Sequence, residues 1–139
     1  MKQSKLQRIV LLTILAYESI GGLLGGILLI LGPDGHYMDM SVEIMHGTFP
    51  DFLIPGIILT GMGALTTVAF VAVFFRSRLD WLLATFAMGG FIIWFATEIT
   101  ILRQLHWLHI MWGVPVLIGS LIVVQTIPWA TIRKVGLVN

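Results

Sequence analysis

Residues 9–31 read Ile9-Val10-Leu11-Leu12-Thr13-Ile14-Leu15-Ala16-Tyr17-Glu18-Ser19-Ile20-Gly21-Gly22-Leu23-Leu24-Gly25-Gly26-Ile27-Leu28-Leu29-Ile30-Leu31. The run is apolar, long enough for the ~20 residues that a bilayer core demands of a helix, and broken near its middle by one acid. An acid at that depth costs at least ~2.5–3.5 kcal/mol, so Glu18 is expected to face protein or a wet cavity. The glycines agree. At 100° per residue, Gly21, Gly22 and Gly25 fall within about 60° of Glu18 on one side of the helix. The small-xxx-small pairs Gly21/Gly25 and Gly22/Gly26 allow a second backbone to approach that side. The stretch therefore predicts a spanning helix whose acid points into a bundle.

The whole chain supports that reading. Of its 139 residues 58% are hydrophobic and 11% are charged. A soluble domain carries about 25% charge, so the composition is that of one small integral membrane domain. A net charge of +1, spread along the chain, gives no footprint for nucleic acid. With no cysteine, disulfides, thiolate metal sites and thiol redox chemistry are excluded. Lys2, Lys5 and Arg8 precede the first run as in a signal peptide. The run exceeds a 7–15-residue signal core and no small-residue cleavage pattern follows, so it reads as an uncleaved anchor.

Four spans are predicted, at 9–31, 52–75, 81–102 and 107–130, forming an all-α four-helix bundle. Lys2, Lys5, Arg8, Arg76, Arg78, Arg133 and Lys134 fall on one side, and Arg103 alone on the other. That asymmetry predicts both termini on the cytoplasmic side. Asp34, Asp39, Glu43 and Asp51 lie in the opposite, external loop. Trp81 and Trp129 mark one boundary, Trp107 and Trp112 the other.

In the first external loop, Gly32-Pro33-Asp34-Gly35 is turn chemistry. From Tyr37 to His46 the pattern becomes helical: Asp39, Glu43 and His46 share one line, and Met38, Met40, Ile44 and Met45 the other side. This predicts a short amphipathic helix on the outer membrane surface. Glu43 and His46 also have the Glu-x-x-His spacing of di-iron bundles. The preferred reading of that pair is a solvated polar face, with ligands or a substrate mouth as the alternative.

Phe49-Pro50-Asp51-Phe52-Leu53-Ile54-Pro55-Gly56 opens the second span, with Asp51 suited to cap it and Pro55 placed in its first turn. With Pro33-Asp34-Gly35, this stretch resembles a group of short, uncharacterised bacterial four-span proteins that carry a Phe-x-Asp-Phe-Leu-Ile-Pro-Gly motif after a Pro-Asp-Gly turn. The chain is more loosely similar to DoxX-like four-helix proteins. The resemblance implies the architecture and a bacterial inner membrane; it implies no activity and no site residues. Thr60, Gly61, Gly63, Ala64, Thr66 and Thr67 continue the span as packing residues.

The third span holds a second acid, Glu98, near the outer boundary. Phe91, Trp94 and Phe95 share its helix face, an arrangement suited to an organic cation because ring faces attract cations where water is excluded. Arg103 is about 140° around the helix and is no same-face partner. His106 and His109, three apart at the start of the last span, have permissive metal spacing and also ordinary interfacial composition. Pro115 interrupts that span. Gln125 is expected to bond across helices.

There is no P-loop, dinucleotide fingerprint, nucleophile elbow or HExxH motif. Three readings follow. The first is a binding or transport bundle for a small amphipathic or cationic molecule, with Glu98, Glu18, Tyr17, Phe91, Trp94 and Phe95 as contacts. The second is a membrane enzyme acting on a lipid or quinone through Glu43, His46, Glu98, His106 and His109, the same residues (Glu98 aside) that a metal would use. The third is an accessory subunit or homo-oligomer packing through Gly21, Gly22, Gly25 and Gly26. Convergence of the histidines favours the second; an exposed glycine face favours the third. No cofactor is implied.

Overall fold

The computed structural model describes residues 1–129 and 132. The expected anchor residues Arg133 and Lys134, and the last residue of the fourth expected span, lie outside that set. Four helices account for most of the described chain: α1 (Lys5–Leu31), α2 (Leu53–Phe74), α3 (Asp80–Leu102) and α4 (Trp107–Thr126). Each is long and apolar enough to cross a membrane, as a multi-pass membrane protein requires. There is no strand among the described residues. One end of the bundle carries the N-terminus and the α2–α3 turn (the terminal end). The other carries the long α1–α2 loop and the α3–α4 turn (the loop end).

α1 begins four residues ahead of its apolar run because Ser4 caps it. The Ser4 hydroxyl accepts from the Gln7 N–H at 3.1 Å, and the Gln7 side chain accepts from the Ser4 N–H at 2.9 Å. Two otherwise orphaned donors are satisfied reciprocally. The helix stops at Gly32, whose N–H reaches the Leu28 carbonyl at 3.0 Å, one residue before Pro33. Asp51 assists the start of α2 from just outside it, its carboxylate accepting from the Leu53 N–H at 2.9 Å.

Glycines decide how α1 and α2 meet. A Cβ on Gly22 would lie 2.9 Å from the Gly63 Cα, and one on Gly26 would lie 2.8 Å from the Gly56 carbonyl oxygen. The two backbones touch through these positions, which only a missing side chain permits. Gly21 faces the Trp112 ring of α4. Gly119 of α4 sits against Met88 of α3 and Ile14 of α1. The core below is apolar: Leu11, Ile14, Leu15, Ala69, Val73, Ala84, Ala87, Met88 and Val123 are buried. Outward-facing Ile20, Leu24, Ile57, Val68, Phe86, Ile93, Leu117 and Leu121 stay exposed, as a lipid-facing belt must.

At the terminal end, the Met1 ammonium meets Asp80 at 3.2 Å. Arg8 donates to the Phe74 carbonyl at 2.6 Å, placing a cation at the C-terminus of α2, where the helix dipole favours it. Gln7 and Gln125 pair across α1 and α4 at 3.3 Å, the cross-helix bond expected of Gln125.

The loop departs from the sequence expectation. In place of one amphipathic helix over 37–46 there are two short 3-10 turns, His36–Met38 and Val42–Met45. Asp39 stands between them with φ +52°, a left-handed conformation that no continuing helix accommodates. His46 at φ +50° closes the second turn. Burial explains the break: Met45 and Phe52 join Leu29 in a separate apolar cluster beside Met38, Met40, Ile44, Ile101 and Leu102. A straight helix would carry only one stripe of these residues to the bundle, whereas the folded loop lays them over the ends of α1 and α3. In this loop Asp34 bonds to the His36 ring and backbone N–H, and that hydrogen bonding holds the Asp34 carboxyl below the usual carboxylate range. Replacing His36 with alanine is expected to return Asp34 towards its ordinary value, read by carboxyl carbon chemical shifts across an acid titration. An unchanged Asp34 titration would show that the ring does not set it.

Candidate functional site

Two acids lie along the inside of the bundle, and different elements position them. Glu98 is one turn from the C-terminus of α3. The α3–α4 connection is only Arg103 to His106, so the last turn of α3 and the first turn of α4 are brought side by side. His106 is the N-cap of α4 and His109 its third residue, and together they form a capping box made of imidazoles. The His109 Nδ1 accepts from the His106 N–H at 2.9 Å, and the His106 Nδ1 accepts from the Leu108 N–H at 3.4 Å.

That cap fixes the chemistry of His109. With Nδ1 used as an acceptor, the neutral ring carries its proton on Nε2. Nε2 faces the Glu98 carboxylate at 3.6 Å, longer than a good hydrogen bond and within range of a charge contact. The His109 side chain is 6% exposed and that of Glu98 is 35% exposed, so the carboxylate has one protein-facing side and one open side. The Phe95 ring meets His109 edge-on with centroids 6.5 Å apart, and Phe91 stacks on Phe95 at 6.0 Å. Phe91 is buried; Trp94 and Phe95 are partly open. Arg103 makes no ion pair among the described residues; Glu98 has His109 of α4 as its ionisable neighbour and Trp94 of its own helix beside the carboxyl.

Glu18 is deeper. It is 1% exposed, midway along α1, and its Oε1 has no hydrogen-bond partner among the described residues. Its neighbour Tyr17 stacks on Trp112 with centroids 4.3 Å apart. Because Gly21 meets Trp112, the register of α1 on α4 is known. Glu18 precedes Gly21 by three residues and His109 precedes Trp112 by three, in antiparallel helices, so the two side chains are separated by about 9 Å along the axis. Glu18 and Glu98 are thus two stations, not one cluster.

The other candidate residues are divided among separate jobs. Glu43 and His46 line an open groove of about 430 Å³ at the loop end, with Ser41, Ile44, Leu102, Arg103 and Gln104. His46 donates from Nδ1 to the Ile101 carbonyl at 3.1 Å, tying the loop to the end of α3. His106 and His109 are spent on the cap. No three His, Asp or Glu side chains come together to hold a metal ion among the described residues, so the expected set Glu43, His46, His106 and His109 does not converge. The glycines do not form a free face either. Gly21, Gly22 and Gly26 are covered by α2 and α4 of the same chain, and Gly25 lies beside Leu59.

Sequence reasoning missed the His109–Glu98 contact. The signal was present in the short 103–106 connection, which places a residue four before the end of one helix beside one three into the next. No model of a protein family matches the chain, and neither does any curated protein or solved structure.

Proposed function

We propose that this chain is a small multi-pass membrane protein of a bacterial inner membrane that binds or transports a small amphipathic or cationic molecule. Glu98 is the charged contact, and Glu18 is a second, deeper acid. One observation carries the reading: the partly exposed Glu98 carboxylate is held against His109, whose ring meets the Phe95 ring edge-on. A carboxylate beside ring faces in a low-dielectric setting attracts an organic cation through both charge and quadrupole. His109 keeps its Nε2–H towards the carboxylate and so orients it without neutralising it.

The competing readings have less support. An enzyme acting on a lipid or quinone needs its histidines together, and they are divided between a helix cap and a loop tie. An accessory subunit packing through the first span needs the glycine face, which the chain itself covers.

In this reading the termini are cytoplasmic and the loop end is external, so the ligand first meets Glu98 from outside. A cysteine placed at Ser41 is expected to react with an impermeant reagent only from outside the cell. Labelling from inside alone would reverse the bundle and put Glu98 on the cytoplasmic side. The function is tested by titrating the purified protein in lipid nanodiscs with tetraphenylphosphonium and following tryptophan fluorescence. Saturable quenching is the expected result. Linear, non-saturating quenching at all pH values would reject the binding reading.

A further inference from the structure

We propose that the species bound at Glu18 is the proton alone, and that the deep acid of this bundle is a reversible proton site distinct from the ligand contact at Glu98. The inference deepens the binding reading and rests on it for its purpose, though not for its chemistry.

The packing around Glu18 excludes larger ligands. One turn towards the terminal end, Ile14 lies against Gly119, where a Cβ would meet Met88 Sδ at 2.6 Å and Ile14 Cγ2 at 3.2 Å. One turn towards the loop end, Gly22 touches the Gly63 backbone and Gly21 the Trp112 ring. Phe91, Leu15 and Val116 are completely buried. The carboxyl is closed above and below by contacts that do not admit even a methyl group, so an organic cation has no place beside it.

A metal ion finds too few charged ligands, since no three His, Asp or Glu side chains come together among the described residues. Calcium takes about 6–8 oxygens and other hard cations nearly as many. The hydroxyl protons nearby are directed elsewhere, with Ser19 and Thr67 bonded to each other at 2.5 Å, Thr66 donating to the Met62 carbonyl at 2.8 Å and Thr60 to the Gly56 carbonyl at 2.8 Å, so none of these is given to the carboxylate.

Among the described residues no basic group neutralises the carboxyl. α2 contains no titratable residue. On α4 the sole titratable residue is His109, about 9 Å away along the axis and engaged by Glu98 and His106. On α3 there are Asp80, which faces the Met1 ammonium, and Glu98. On α1 itself Lys5 and Arg8 are at the terminal end, and Tyr17 lies next to Glu18 against Trp112. A carboxyl that is 1% exposed, with Oε1 unpartnered and no cation beside it among the described residues, is satisfied by a proton.

The test does not require a ligand. The chain has three glutamates, Glu18, Glu43 and Glu98. The protein carrying Glu43→Gln and Glu98→Gln, labelled with carboxyl-13C glutamate and placed in lipid vesicles, leaves Glu18 as the one labelled side chain. Infrared difference spectra across pH are expected to show an isotope-shifted protonated-carboxyl band in acid that disappears reversibly in base. Sodium, potassium or calcium added at fixed pH should leave it unmoved. Glu18→Gln, isosteric with the native residue, should remove the band from otherwise native protein. A band absent at every pH, one that never titrates, or one displaced by a metal ion would each overturn the proposal. Absence of saturable tetraphenylphosphonium binding to the native protein, beside an intact titrating band in the variant, would reject the ligand reading and leave the proton site standing.

Discussion

Gly22→Leu is expected to destroy the folded bundle, and Gly22→Ala to weaken it by about 1–3 kcal/mol, the usual cost of forcing atoms into a closed contact. The atoms that a side chain would meet at Gly22 all belong to backbone: Gly63 Cα at 2.9 Å, Gly63 N at 3.1 Å and the Leu59 carbonyl oxygen at 3.3 Å. Backbone cannot rotate away as a flexible side chain does, so α1 and α2 must separate. That separation would also open Gly26 from Gly56 and the Ser19–Thr67 bond. Gly61 is the internal control. It lies in the same α2 with nothing within 4 Å of an added methyl, so Gly61→Ala removes only the entropic cost of a mid-helix glycine. It should be neutral, or stabilising by up to about 1 kcal/mol. Thermal melts of detergent-solubilised protein read by size exclusion would separate the two. Equal Tm values for Gly22→Ala and Gly61→Ala would mean that the α1–α2 contact does not hold the bundle together.

Residues 9–31 carry most of this architecture because an apolar run with glycines and one acid on a single side leaves few ways to fold. Glu18 is expected to face inward with Gly21 and Gly22, and it does. What the periodicity leaves open is which backbone fills the glycine face, since a partner chain and a neighbouring span pose the same steric requirement. Gly56, Thr60 and Gly63 of α2 supply the complementary spacing. Charge and cap signals are harder to read. Ser4-x-x-Gln7 is a capping pattern, yet hydrophobicity alone sets the expected start of the first span four residues later. His106-x-x-His109 has the spacing of metal ligands and also that of a capping box, and spacing cannot distinguish the two. The tie is broken by the backbone N–H groups exposed at a helix start, which need acceptors whether or not a metal is available. The loop is the least legible part. Its alternation of Met, Ile and acids fits a helix, but the burial of Met45 and Phe52 against Leu29 outweighs helical propensity and turns the chain at Asp39.

Glu98→Gln is expected to leave the fold intact and to remove the pH dependence of cation binding. The amide has the shape of the carboxylate and can still face His109 Nε2–H, so the α3–α4 contact and the His106–His109 cap survive. What is lost is the negative charge that a cation needs beside the partly open Trp94 and Phe95 rings. In the native protein, tetraphenylphosphonium affinity should fall as pH falls, because protonating Glu98 discharges the site. In Glu98→Gln the affinity should be flat across the same range. At the alkaline end it should be weaker than native by about 2–3 kcal/mol, roughly 30- to 150-fold in Kd, as for removal of one member of a partly desolvated charge contact. Cation–π attraction to the rings, about 0.5–2 kcal/mol, would remain and account for the residual binding. His109→Ala distinguishes charge from orientation. It keeps the carboxylate but removes the group facing it, so the pH dependence should persist while the alkaline affinity drops. If Glu98→Gln titrates like the native protein, Glu98 is a structural neighbour of His109 and the cation is held elsewhere.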